Sequence, residues 1–189
     1  FSFSKLAVAV FGAYFKVQSM AFMPVFGLNN GMIPIISYNY GAQRPDRMKR
    51  TMKLGVMVGC SIMLFCLVIM QVFPGQILKI FDATDDMLSM GIPAVRIMST
   101  AFIFAGFSVT CSGMFQAVGK GVYSMIVSMA RQLFVILPVA YFLSKAMNSV
   151  NGVWTAFPIA EIFSVIISTF LLLRVYKKIV KPLERGQIE

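Results

Sequence analysis

Five apolar stretches, running roughly over residues 6–40, 54–73, 87–118, 122–143 and 152–175, restrict this 189-residue chain to one broad class of fold. A bilayer core takes about 20 residues of helix, and each stretch reaches that length. In hydrocarbon every backbone N–H and C=O must find a partner within the protein, so such a chain folds as membrane-crossing helices. Composition agrees: 58% of residues are hydrophobic and only 13% are charged, against about 25% charged in soluble domains. The expected architecture is an all-α polytopic membrane helix bundle of five transmembrane helices over residues 1–176, followed by a polar, loosely ordered cytoplasmic tail at 177–189. The chain opens on Phe1 and enters an apolar run within a few residues, so it reads as a piece of something longer, without a signal-peptide pattern.

The first stretch is the longest. Straight, it would extend about 50 Å at 1.5 Å per residue, well beyond a hydrocarbon core of about 30 Å. Pro24, Gly27, Gly31 and Pro34 interrupt it, and they predict a helix break and hinge. Broken helices at membrane depth are tolerated where they are buried in protein or line a wet cavity, as in transporters. Pro93, Pro138 and Pro158 predict kinks in the last three stretches.

Basic residues set the orientation. Arg44, Arg47, Lys49, Arg50 and Lys53 follow the first stretch, Lys120 lies in the turn before the fourth, and Arg174, Lys177, Lys178, Lys181 and Arg185 follow the last; the opposite side has only Lys5, Lys79 and Lys145. The positive-inside rule makes the basic loop and C-terminus cytoplasmic. The loop with Asp82, Asp85 and Asp86 then faces outward. The first stretch enters from outside, which implies at least one preceding helix if the intact N-terminus is cytoplasmic.

Ionisable groups at helix centres cost about 2.5 to 3.5 kcal/mol on insertion scales, so each is a functional candidate. Four lie inside the stretches: Lys16, Arg96, Arg131 and Glu161. Glu161 lies roughly 13 Å from the outer helix end at 1.5 Å per residue, close to the midplane. It is expected either to take part in coupling and substrate binding or to form a structural pair with Arg96 or Arg131. Gln18, Asn29, Asn30 and Gln116 are uncharged candidates for lining a polar cavity, and Phe15, Met20, Met23 and Phe26 are the apolar residues expected nearest a substrate. Tyr38, Asn39 and Tyr40 fall at the cytoplasmic boundary, where interfacial anchoring is the simpler account.

Other functions are disfavoured. The chain has no His, one carboxylate within the stretches and no glycine-rich phosphate loop, so neither an acid/base pair nor ATP hydrolysis is expected. Cys60, Cys66 and Cys111 lack metal-ligand spacing and read as packing residues, so no metal and no cofactor are expected. A net charge of +10 is explained by membrane topology rather than by nucleic acid.

The run FMPVFGLNNGMIPIISYNYGAQRPDRMKR resembles the start of the second half of MATE (multidrug and toxic compound extrusion) transporters. In these a helix ends in a Gly-Gln/Asn-x-x-Gly-Ala signature before a basic loop, seen here as Tyr38, Asn39, Tyr40, Gly41 and Ala42. The segments GMFQAVGKG, ARQLFVILPVAYFLS and GVWTAFPIAEIFS resemble the later helices, most closely those of the MepA-like branch. The resemblance implies helices 8 to 12 of a 12-helix, two-lobe transporter. It also implies a missing N-terminal lobe of the same transporter as partner, and a plasma-membrane location. The implied activity is antiport of lipophilic cationic compounds against H+ or Na+. The family's acidic cation site in this lobe uses carboxylates on helices seven and ten; residues 87–118 contain no Asp or Glu, which leaves Glu161 as the local carboxylate candidate.

Two alternatives stand beside this reading: a flippase for lipids or lipid-linked saccharides of the same superfamily, and a non-transporting membrane scaffold subunit. The orientation has a direct check. In intact cells, Asp85→Cys is expected to react with a membrane-impermeant maleimide, and Arg47→Cys only after lysis; the reverse pattern would invert the topology.

Overall fold

The computed structural model describes residues 5–147 and 151–186. Helices account for nearly all of them. In chain order they are α1 (Lys5–Gly41), α2 (Pro45–Val72), α3 (Pro74–Lys79), α4 (Asp85–Ser99), α5 (Phe102–Ala117), α6 (Gly121–Met129), a π-helical segment π1 (Ala130–Ile136), α7 (Leu137–Met147), α8 (Asn151–Val175), a second π-helical segment π2 (Tyr176–Val180), and α9 (Lys181–Glu184).

Four of these units are long and apolar enough to cross a membrane: α1, α2, the run Gly121–Met147 and the run Asn151–Glu184; the bent pair α4 and α5 makes a fifth. The spans are the expected ones, but several details differ. α1 is one continuous 37-residue helix with Pro24 and Pro34 inside it, so the predicted break is not there. Each proline removes a single hydrogen bond, and the turns on either side retain theirs. The third span bends by 47° between Ser99 and Phe102 rather than at Pro93, which sits within α4. α2 begins at Pro45, nine residues before its apolar run, because Pro at the first turn and Asp46 beside it suit a helix N-terminus.

The C-terminal segment also differs from the tail expected at 177–189. α8 continues through π2 into α9, and Ile179, Val180 and Leu183 are buried. Lys49 on α2 ties this extension down, bonding Glu184 at 2.5 Å and Asp46 at 3.2 Å. Residues 187–189 lie outside the described residues.

Both π segments end two residues before a proline, π1 before Pro138 and π2 before Pro182. Proline has no N–H for the carbonyl four residues back, and its ring crowds that carbonyl, so the preceding turn widens. The prolines inside α1, α4 and α8 leave those helices α-helical.

Two buried clusters hold the bundle. One joins α1, α2, α4 and α5 around Tyr14, Met63, Met98 and Phe102, with Trp154 of α8; the other joins the opposite ends of α1, α2, α5 and α8 around Ile36, Met48 and Phe115. Between membrane helices the driving force is close packing, which small residues permit. Here Gly59 and Gly106 bring α2 and α5 together: a Cβ on Gly106 would lie 2.9 Å from the Gly59 carbonyl oxygen and 3.0 Å from Cys60 Cα. Gly106→Val is therefore expected to force the two helices apart, costing about 1 to 3 kcal/mol and lowering the melting temperature in detergent. Gly27→Ala, where a methyl would meet no atom within 4 Å, serves as the control and should melt no lower than wild type.

Candidate functional site

Helical spacing collects polar residues onto facing surfaces of four helices. On α5, Ser108, Ser112 and Gln116 recur every four residues; on α6 and π1, Ser124, Ser128 and Arg131 share a face; on α8, Glu161 and Ser164 are three apart. α1 brings Asn29 and Asn30 to the same space. All of these groups except Glu161 line a polar compartment of about 340 Å³ together with Phe22, Phe26, Ile33, Val109 and Val127.

A second compartment of about 500 Å³ adjoins it, toward the N-terminal end of α1. Its walls are mainly apolar (Phe15, Phe22, Met23, Phe26, Ala101, Ile136 and Phe157), and its polar lining is Gln18, Ser19, Arg131, Gln132 and Glu161. Phe22, Phe26 and Arg131 belong to both. Arg131 thus stands at the boundary.

There Arg131 Nη1 donates to Glu161 Oε1 at 2.7 Å. Glu161 is 6% exposed. Its other oxygen, Oε2, is buried and accepts no hydrogen bond within the structure. Arg131 reaches this position from π1, which Pro138 widens. The carboxylate thus has one oxygen committed and one open. Gln18 Oε1, also lining the apolar compartment, is buried and unpaired as well. The apolar compartment therefore presents two acceptors that lack donors.

The polar compartment also holds unpaired polar groups. Ser108 and Ser164, 2% and 0% exposed, have hydroxyls without a hydrogen-bond partner. Ser124 donates to the Ser112 carbonyl at 2.7 Å, and Asn29 donates to the Val109 carbonyl at 2.8 Å while its Oδ1 stays unpaired. The Asn29 side chain lies over Gly113, where a Cβ would come within 2.8 Å of Oδ1.

The structure distributes the sequence candidates unevenly. Glu161, Arg131, Gln18, Asn29, Asn30 and Gln116 line the two joined compartments, as do Phe15, Met23 and Phe26. Lys16 does not. It stands two positions, about 200°, around the helix from Gln18, 5.8 Å from the Phe81 ring centroid, in a separate cavity with Asp82. Arg96 is not the partner of Glu161: its side chain is exposed, because α4 buries Gly91, Ala94, Val95 and Met98 on another face, and its carbonyl accepts from Gln71 Nε2 at 2.8 Å and Ser99 Oγ at 3.2 Å. Met20 is 65% exposed and lines neither compartment. Gly27, Gly31, Pro24 and Pro34 lie on the α1 face open to the surroundings.

The serines escaped the sequence analysis. Their signal was present: Ser108/Ser112, Ser124/Ser128 and Ser164/Ser168 are i, i+4 pairs within apolar spans. Among the described residues no group of three or more His, Cys, Asp or Glu is placed to hold a metal ion.

Fold and site together define a multi-pass membrane helix bundle with a polar cleft, the class to which transporters belong. The MatE family model matches residues 1–142, and the chain belongs to that family. It is 25% identical over 171 residues to the multidrug export protein MepA of Staphylococcus haemolyticus, covering 90% of this chain and 37% of that protein. To MepA of Staphylococcus saprophyticus it is 26% identical over 153 residues, covering 81% and 34%. Among solved structures, the MATE multidrug transporter DinF-BH aligns at 30% identity and TM-score 0.80, covering 90% of this chain and 38% of that one. An outward-facing MATE transporter aligns at 20% identity and TM-score 0.86, covering 97% and 41%. The chain spans little more than a third of the lengths of the curated relatives named here.

Removing one partner of a buried ion pair strands the other, at about 3 to 5 kcal/mol, whereas replacing both costs far less. Glu161→Gln and Arg131→Gln are each expected to lower the melting temperature, and the double variant Arg131→Gln/Glu161→Gln to recover most of the loss. Additive losses in the double variant would show that the two side chains do not interact.

Proposed function

We propose that this chain is the C-terminal lobe of a secondary active multidrug exporter, which antiports lipophilic cations against H+ across the plasma membrane with its C-terminus on the cytoplasmic side. The observation that carries the reading is the Glu161 carboxylate, buried on the wall of an aromatic compartment with one oxygen held by Arg131 and the other unpaired. A lipophilic cation fits such a compartment. Its apolar body is taken up by Phe15, Phe26 and Phe157, and its charge is met by the carboxylate.

A proton and a substrate cation compete for Glu161. Protonation neutralises the carboxylate and removes the attraction for the substrate, while deprotonation restores it. Alternate exposure of the site then exchanges one for the other. H+ suits this site better than Na+, since Glu161 is the one carboxylate buried among the described residues and no second carboxylate lines its compartment. The relatives' multidrug-export names support the substrate class. The N-terminal lobe would close the cleft over the exposed faces of Met23 and Phe26.

The test is efflux of a fluorescent lipophilic cation by the full-length protein in energised inverted vesicles. Wild type is expected to release fluorescence in response to an imposed proton gradient, and Glu161→Gln to lose at least tenfold of that rate while remaining inserted and folded. Undiminished proton-driven efflux in Glu161→Gln would remove the carboxylate from the mechanism.

A further inference from the structure

Whichever ligand occupies Glu161, Arg131 is left over. A proton on the carboxylate, or a substrate cation drawn to it, takes away the only anion that the described residues set against this guanidinium. Arginine does not deprotonate in proteins, so the charge has to be met by something else. Among the described residues the other acids are Asp46, Asp82, Asp85, Asp86 and Glu184, at helix ends or in the turn before α4. None lines either compartment. Nothing within the described bundle replaces Glu161.

The polar compartment is built for the missing partner. Arg131 opens onto it, no carboxylate lines it, and the hydroxyls of Ser108 and Ser164 are buried there without a partner and able to donate, beside one unpaired acceptor, Asn29 Oδ1. Gln116 and Asn30 add amide donors at the exposed side. Its volume of about 340 Å³ admits a small ion with several waters, given that one water takes about 30 Å³. We infer that the polar compartment is a binding site for a small monovalent inorganic anion, which partners Arg131 when Glu161 is occupied by a proton or a substrate cation. This rests on the proposed role of Glu161 as the shared carboxylate. It adds that cation binding is coupled to anion binding, with Arg131 exchanging one anionic partner for another.

Full-length protein in detergent, with chloride as the probe, tests the inference in two ways. The dissociation constant of tetraphenylphosphonium is measured in sodium chloride and in sodium gluconate at equal ionic strength, gluconate being too large and too hydrated to replace chloride. Chloride is expected to tighten cation binding about fivefold or more, the lower end of ordinary site-to-site coupling. Arg131→Gln should abolish the difference between the salts, and Ser108→Ala/Ser164→Ala should remove most of it. Cation binding with equal affinity in both salts would overturn the anion site while leaving the proposed function intact.

If the cation does not bind in either salt, the functional reading fails and the second measurement decides the anion site alone. Glu161→Gln keeps Arg131 permanently unpaired, so its melting temperature should rise on replacing gluconate by chloride. The double variant Arg131→Gln/Glu161→Gln should show no such rise. A Glu161→Gln protein that responds to chloride no more than the double variant refutes the site.

Discussion

A charge left alone in hydrocarbon is the costliest defect a membrane helix can carry, and the ion pair of Arg131 with Glu161 is how this bundle accommodates two of them. The pair fixes π1 against α8. It also separates the polar from the apolar compartment, since Arg131 belongs to both linings. The widened helix around Arg131 follows from Pro138, so a single residue without an N–H helps to set where the guanidinium stands. Under the proposed function, the interaction that holds the helices together is also the one a ligand must interrupt.

The remainder of the bundle supports that arrangement by close backbone approach rather than by a hydrophobic gradient. Lipid is as apolar as leucine, and helices associate in it through packing and hydrogen bonds. Gly59 against Gly106 seats α2 on α5, and Gly113 lets Asn29 of α1 reach the Val109 carbonyl of α5. Through these contacts α1, α2 and α5 pack together, and α6 and α8 bring Ser124, Ser128 and Ser164 to the compartment they share. At the basic end, Lys49 clasps Glu184 and holds the extension of α8 against α2.

Hydropathy alone located the five spans, because a length of about 20 apolar residues is a demand of the bilayer and not of tertiary packing. What it missed depended on neighbours. The bend between Ser99 and Phe102 contains neither proline nor glycine. α1 stays helical through residues that usually interrupt helices. The first turns of α2 carry Asp46, Arg47, Lys49 and Arg50, too polar to be counted with the span they continue. Ile179, Val180 and Leu183 look like isolated apolar residues in a polar tail until α9 folds them onto the second core. In the site, Glu161 was legible as a buried carboxylate, but Arg96 and Arg131 were equivalent as partners. Only the faces of α4 and π1 decide between them. The serines passed unnoticed because each alone is ordinary in a membrane helix, and their meaning comes from three helices placing them around one cavity.

The opposed polarity of the two compartments bears on why an ion pair, rather than a lone carboxylate, suits a transporter. A solitary buried carboxylate would hold a proton or a cation tightly, and release would be slow in proportion. Turnover needs binding strong enough to load the site and weak enough to empty it. With Arg131 already bonded to Glu161 Oε1, a cation arriving as proposed would compete with a resident one, so the net gain would be the difference between two attractions. The unpaired Oε2 is the oxygen left for such a contact while Arg131 still holds Oε1. In the proposed exchange the displaced guanidinium is met on the polar side, where the hydroxyls of Ser108 and Ser164 line the compartment beside it. Under the proposed function, loading the site therefore costs the resident ion pair its own attraction, which favours exchange over capture.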